Sequence, residues 1–216
     1  MSTAFIRRAG VAALAVALLA GCSGTSPDDG DAVGTATATS SSAAGEETPE
    51  PSDGSGVPSA EVPAEVSAVP GATAAWSALM GPDGEYAAYA AYTAVIDEFG
   101  QVEPYVSIRE AEARHAEALI RQLDRLGVEV PENPYLGQIA APAALQTAAA
   151  AWADGEVANV ALYDELLAQV TDDAALTRVF TNLRRASEEM HLPAFSAAAD
   201  NGGVLTSEQM AELGLH

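Results

Sequence analysis

The stretch "SIREAEARHAEALIRQLDRLGV", Ser107 to Val128, decides the fold. Ile108, Ala111, Ala118, Leu119 and Leu126 recur at the three- and four-residue spacing of an amphipathic helix, and His115 shares their face. Ser107 with Glu110 predicts a capping box at the start, and Gly127 predicts the stop. Inside the helix stands Glu112-Ala113-Arg114-His115. Positions three apart are separated by about 300° of rotation, so both side chains leave the same face. A carboxylate oxygen and an imidazole nitrogen so placed can bind one cation. A bare carboxylate on a face shared with Ile108, Ala111 and Leu119 would be expensive to bury, which itself calls for a compensating cation.

The chain has three histidines, His115, His191 and the final His216. His191 repeats the spacing: "LRRASEEMHLPAF" (Leu183–Phe195) contains Glu188-x-x-His191. Residues 71–216 hold 14 glutamates. A glutamate therefore precedes one given histidine by three about one time in ten, and both about one time in a hundred, so the pair is a far stronger signal than either alone.

Working outward, everything from residue 72 on reads helical, with alanine dominant and no defensible strand. Segment one, Ala72 to Phe99, is interrupted by Gly81-Pro82-Asp83-Gly84, since Pro82 lacks an N–H and Asp83 can cap a restart. Its Trp76, with Trp152, is most simply core, and the tyrosines Tyr86, Tyr89, Tyr92 and Tyr163 read as core ahead of redox relays. Segment two is Ser107 to Leu126. The connection Val128–Pro142 reaches about 50 Å when extended, beyond the ~30 Å of a 20-residue helix, so it can cross the bundle. Segment three, Ala143 to Val170, and segment four, from Asp172 or Asp173 to Asp200, are joined by a tight turn and must be antiparallel neighbours. A last helix spans Ser207 to Leu213. The expected architecture is all-α: a four-helix bundle with one long crossover between helices 2 and 3.

Two further acids are candidates. Glu85 lies on segment one, where it could instead complement the helix dipole. Glu156 lies on segment three, where it could be one more solvated acid beside Asp154 and Asp164. Gly155, unfavourable mid-helix, suggests close packing there. Register is informative. Glu112 lies 14 residues from Leu126, Glu156 lies 14 from Val170, and Glu188 lies 16 from Asp172. Glu85 lies 13 from Ala72 but only two from Asp83. The acids share one height only if residues 72–82 belong to helix one; otherwise Glu85 sits about 15 Å too low at 1.5 Å per residue. Pro193, two residues past His191, predicts a kink beside the site.

The N-terminus is different in kind. Arg7 and Arg8 precede the apolar run Ala9–Ala20, too short to span a membrane comfortably, which reads as a secretory signal core. Leu19-Ala20-Gly21-Cys22 resembles a bacterial lipobox, which implies cleavage of residues 1–21, lipidation of Cys22 and an extracytoplasmic, membrane-anchored protein. Residues 22–71, rich in Ser, Thr, Pro and acid, read as a disordered tether, and 72–216 as the folded domain. The chain carries 31 acids against nine arginines and no lysine, a formal charge of −22. Loss of residues 1–21 removes two arginines and leaves −24. Nucleic acid and anionic headgroups are poor partners for such a surface, and metal cations are good ones.

From about Leu79 to Phe195 the chain resembles the ferritin-like superfamily, and within it a bacterial and archaeal ferritin-like family with no assigned function (domain of unknown function 2202). "EYAAYAAYTAVIDEFG" (Glu85–Gly100), Ser107–Val128 and Leu183–Phe195 carry the likeness. In ferritin-like carboxylate proteins, one glutamate from each of two helices joins a Glu-x-x-His from each of the other two. The resemblance implies two transition-metal ions, iron first, with manganese or zinc also accepted by the ligand type. Glu112 and Glu188 would bridge, with Glu85 and His115 terminal at one ion and Glu156 and His191 at the other. The resemblance implies no known reaction. Two metals in such a cage can share electrons with O2 or peroxide, so oxidation of Fe(II) or reduction of O2 or peroxide is the chemical expectation, with a di-iron oxidoreductase as the enzyme class. The competing expectation is a non-catalytic metal-binding or helical interaction lipoprotein.

Overall fold

The computed structural model describes residues 62–215. The signal segment, Cys22 and the tether up to residue 61 lie outside the described residues. Among those residues every regular element is helical, and the only sheet-like pairing is an isolated antiparallel bridge between Glu103 and Leu205. The helices are α1 (Ala64–Ser67), α2 (Ala72–Met80), α3 (Glu85–Phe99), α4 (Tyr105–Arg125), α5 (Leu145–Gln169), α6 (Ala174–Ala186), α7 (Leu192–Asp200) and α8 (Ser207–Glu212). A π-helical turn, Ser187–His191, joins α6 to α7.

The tether ends earlier than composition suggests. Val62, Val66 and Val69 fall at four- and three-residue spacing, the α-helical period. Val66 is buried in the core, and Val62 and Val69 pack against it. Residues 62–70 therefore belong to the folded unit.

Segment one is two helices, not one. Gly81 leaves the helix in an extended conformation, and Gly84 closes the turn by donating to the Gly81 carbonyl at 2.9 Å. The turn is tight: a Cβ on Gly84 would stand 2.6 Å from the Ala78 carbonyl oxygen and 3.0 Å from that of Leu79. α3 thus starts flush with the end of α2, and both pack on α4. The break does not drop Glu85 by three turns, because α2 still lies below it as the lower half of the same column. The crossover stitches the joint. The Tyr135 hydroxyl donates to the Met80 carbonyl at 2.7 Å, and Asn133 Nδ2 donates to the Tyr86 carbonyl at 2.8 Å. Further on, Gly137, Ile139 and Ala141 lie over Thr93, Ala94 and Asp97, so the connection travels the length of α3 as its reach allows.

α4 begins at Tyr105, one turn earlier than the Ser107–Glu110 pairing predicts, and that capping box does not form. Glu103 takes its place: its carboxylate accepts from the Ser107 backbone N–H at 3.2 Å and from the Ser107 hydroxyl at 3.0 Å. The far end is as expected. Gly127 has φ 77°, and the Val128 N–H returns to the Leu123 carbonyl at 2.9 Å, the 6→1 bond that closes a helix through a left-handed residue. Asp173 caps α6 by accepting from Ala175 and Leu176. α8 has a complete Thr206–Gln209 capping box.

Two apolar cores sit one above the other. The lower joins α2, the second half of α4, the end of α5 and α6 through Leu79, Leu119, Leu123, Leu166, Leu176 and Phe180. The upper joins α3, the start of α4, α5 and α7 through Tyr92, Val95, Tyr105, Ile108, Phe195 and Ala198. Every column places a buried polar side chain between them: Glu85, Glu112, Glu156, and His191 with Ser187.

Gly84→Ala tests the tight joint. Its φ of −90° suits alanine, so the cost is steric only, and overpacking of this kind destabilises by about 1–3 kcal/mol. Urea unfolding should show that loss; an unchanged midpoint would mean that α3 need not abut α2.

Candidate metal centre

Five of the six acids and histidines singled out by the sequence meet in the layer between the cores. Glu85 is the first residue of α3, Glu112 and His115 stand mid-way along α4, Glu156 mid-way along α5, and His191 ends the π-helical turn. Glu85, Glu112, Glu156 and His191 are all buried, and His115 retains 17% side-chain exposure.

Glu112 is the hinge of the arrangement. Its Oε2 lies 3.0 Å from His115 Nδ1, and its Oε1 lies 3.3 Å from His191 Nδ1. Glu85 Oε2 completes the first group at 3.4 Å from His115 Nδ1. Glu156 Oε1 completes the second at 3.5 Å from His191 Nδ1. The two imidazole rings lie 5.5 Å apart, inclined by 28°. Each group is two carboxylates and one imidazole, and the two share Glu112.

Glu188 does not join them. Its carboxylate accepts from Arg184 Nη1 at 2.6 Å, and its side chain is 49% exposed. The π-helical turn is the reason. Closed by i→i+5 bonds, it holds roughly 4.4 residues per turn against 3.6, so each residue advances by about 80° instead of 100°. Three steps then leave Glu188 roughly 120° away from His191, whereas four bring Ser187 to within about 40°. Ser187 is accordingly the buried residue one turn back, and its hydroxyl accepts from Asn159 Nδ2 at 3.0 Å. The expected kink at Pro193 takes this form: Pro193 has no N–H to offer the preceding turn, and the helix widens just before it. Gly155 also departs from expectation, since a Cβ there would meet nothing within 4 Å. Close packing is not its role.

Tyr163, which the sequence reads as core ahead of redox relay, reaches the site. Its buried hydroxyl donates to Glu85 Oε1. Burial, followed by the charge and hydrogen bond of Glu85, pushes the Tyr163 phenol well up, so it stays a donor. Tyr92 roofs the layer: burial first, then the carboxylates of Glu156, Glu112 and Glu85, raise it likewise.

Protons are shared unequally. Burial pushes Glu112 well up, and the charge of Glu85 adds to this. Burial would raise Glu85 as well, but hydrogen bonds with Glu112 and His115 outweigh it and hold Glu85 down to about 2. Burial would lower His115, but hydrogen bonds to Glu112 and Glu85 carry it up to about 10. Even so, three buried polar atoms have no hydrogen-bond partner: Glu156 Oε2 and both ring nitrogens of His191. An unsatisfied buried carboxylate oxygen costs far more than a paired one.

The donor set fits a metal. Bonds of about 2.1 Å place neighbouring ligand atoms about 3.0 Å apart in an octahedral site and about 3.4 Å in a tetrahedral one, and the four nitrogen–oxygen separations span 3.0 to 3.5 Å. Among the described residues, Glu112, His115 and His191 each offer one ligand atom, and these atoms all lie within 4.8 Å of one another. A His/Glu cluster that could hold a metal ion is thus present. No family model, curated protein or solved structure matches the chain, so the reading of the cluster rests on its geometry.

The proton distribution predicts how the metal-free protein responds to pH. The depressed Glu85 contributes stability that is present above its ordinary 4.5 and lost as pH falls toward 2. The raised His115 contributes stability that is present below its ordinary 6.5 and lost as pH rises through about 10. The raised Glu112 opposes folding increasingly once pH exceeds 4.5. Thermal unfolding of chelator-treated protein should therefore decline from pH 6.5 to 10. Glu112→Gln should flatten that decline, and an equal slope in both proteins would contradict this proton distribution.

Proposed function

We propose that this domain is a ferritin-like metal-binding module that holds a dinuclear centre, with iron as the resident metal, on an exported, lipid-anchored chain. The observation that carries the reading is the pair of Glu/His groups hinged on Glu112, together with the unpartnered atoms of Glu156 and His191. Glu85 with His115 would hold one ion and Glu156 with His191 the other, with Glu112 shared between the two groups. Glu188 has no place in the set, so the centre has three carboxylates where the ferritin-like pattern expects four.

Each residue has a definable part. The Tyr163 hydroxyl fixes the orientation of Glu85, the joint between α2 and α3 fixes its height, and the π-helical turn brings His191 inward. The cores above and below exclude bulk water, which strengthens every interaction inside the layer. Iron bound there would supply one-electron chemistry toward O2 or peroxide. Imidazole and carboxylate ligands also accept manganese and zinc.

Metal analysis after anaerobic loading with Fe(II) tests the reading. Wild-type protein should retain two ions per chain, His191→Ala no more than one, and Glu188→Ala two. Loss of an ion in Glu188→Ala with full occupancy in His191→Ala would refute the assignment. Consumption of O2 by the loaded protein supports redox turnover; loading without consumption would favour the non-catalytic reading.

A further inference from the structure

The crossover runs along α3 without closing on it. Between them lies a cavity of about 250 Å³, with Ala90, Thr93, Ala94, Asp97 and Glu98 on the helix side and Ile139 opposite. Its cause is local. Positions 90, 93, 94, 97 and 98 fall within about 140° of the helix circumference and so form one face. Three of them carry small side chains, and the crossing chain adds only Gly137 and Ala141 beside Ile139, so nothing large fills the space. Small-ligand pockets start at about 300 Å³, so this one suits a ligand a little smaller than the usual.

The two ends of the cavity differ in chemistry. At one end Ala90 is buried, and Ile139 packs against the apolar cluster that Ala90 forms with Ala87 and Tyr135. At the other stand the exposed carboxylates of Asp97 and Glu98. Ala90 and Asp97 are separated by about 10 Å at 1.5 Å per residue. Between the ends, the Thr93 hydroxyl donates to the Tyr89 carbonyl at 2.8 Å. That commits its one proton and leaves its oxygen lone pairs to accept. The polar side chains of the lining are therefore acceptors: two carboxylates and one hydroxyl oxygen.

This combination selects a ligand. An ammonium group carries three donors and no acceptor, the complement of such a set. A bare metal ion would use the carboxylates and leave the apolar half uncovered; a neutral alkyl chain would do the reverse. A cation with an aliphatic stem uses both, and the formal charge of −22 draws cations to the surface.

We propose that this cavity is a binding site for an unbranched aliphatic primary amine, held as its ammonium ion. The head group lies at Asp97, Glu98 and Thr93, and the stem runs along Ala94 toward Ala90 and Ile139. The site is built from other residues than the metal centre and does not rest on the metal reading.

The probe is n-hexylamine, titrated calorimetrically at neutral pH into the full-length chain. Wild type should bind one molecule per chain, at least tenfold more tightly than it binds methylamine or 1-hexanol, which each keep one half of the ligand. Ala94→Leu, which fills the cavity, should weaken binding at least tenfold. Asp97→Asn combined with Glu98→Gln should do the same; both side chains are exposed, so this variant keeps the test valid should Ala94→Leu fold poorly. Equal hexylamine affinity in wild type and both variants, or no binding by wild type, overturns the assignment. So does methylamine bound as tightly as hexylamine, which would reduce the site to surface acidity, or 1-hexanol bound as tightly, which would leave the carboxylates no part.

Discussion

Glu112 holds the structure's central constraint. Its two oxygens face two histidines from different columns, 3.0 and 3.3 Å away, and three buried carboxylates crowd the same layer. That layer divides the apolar interior in two, and a charged stratum at mid-height is costly unless its groups are mutually satisfied or neutralised. Two of the fold's irregularities terminate at this level. The Gly81–Gly84 joint ends where Glu85 begins, and the π-helical turn ends on His191. Neither helps a simple helical bundle to pack. Both aim a polar side chain at Glu112.

Much of this was legible in the residues. Helical period, the reach of the crossover and the start of segment four at Asp172 or Asp173 are local properties, and they survived folding. The common height of Glu112 and Glu156 followed from counting residues along rods of fixed rise, and that of Glu85 on the condition that residues 72–82 continue its column. On the fourth column the count named Glu188, where the structure supplies His191. What was not legible depended on contacts between columns. The helix phase at Glu188 shifts because one turn widens, and no single-helix periodicity records that. Two hints were present: Arg184 stands four residues before Glu188 as an ion-pair partner, and Pro193 marks where a backbone donor is missing. Tyr163 read as core because its spacing is that of a core residue; only the packing of α5 against α3's first turn reveals Glu85 as its acceptor. α1 was hidden by composition, since three valines among Pro, Ala and acid look like tether until their spacing is noticed.

The make-up of the His/Glu cluster follows from the loss of one expected acid. A set of three carboxylates and two imidazoles neutralises two divalent ions less completely than four carboxylates would. The same π-helical turn that removes Glu188 from the cage brings His191 to Glu112 and Glu156.

The most direct test is anomalous-difference diffraction from crystals of the iron-loaded chain, recorded at the iron edge. The account predicts two peaks on either side of Glu112, one bounded by Glu85 and His115 and the other by Glu156 and His191. Absence of density in this layer, or peaks confined to surface acids such as Glu188, would contradict it.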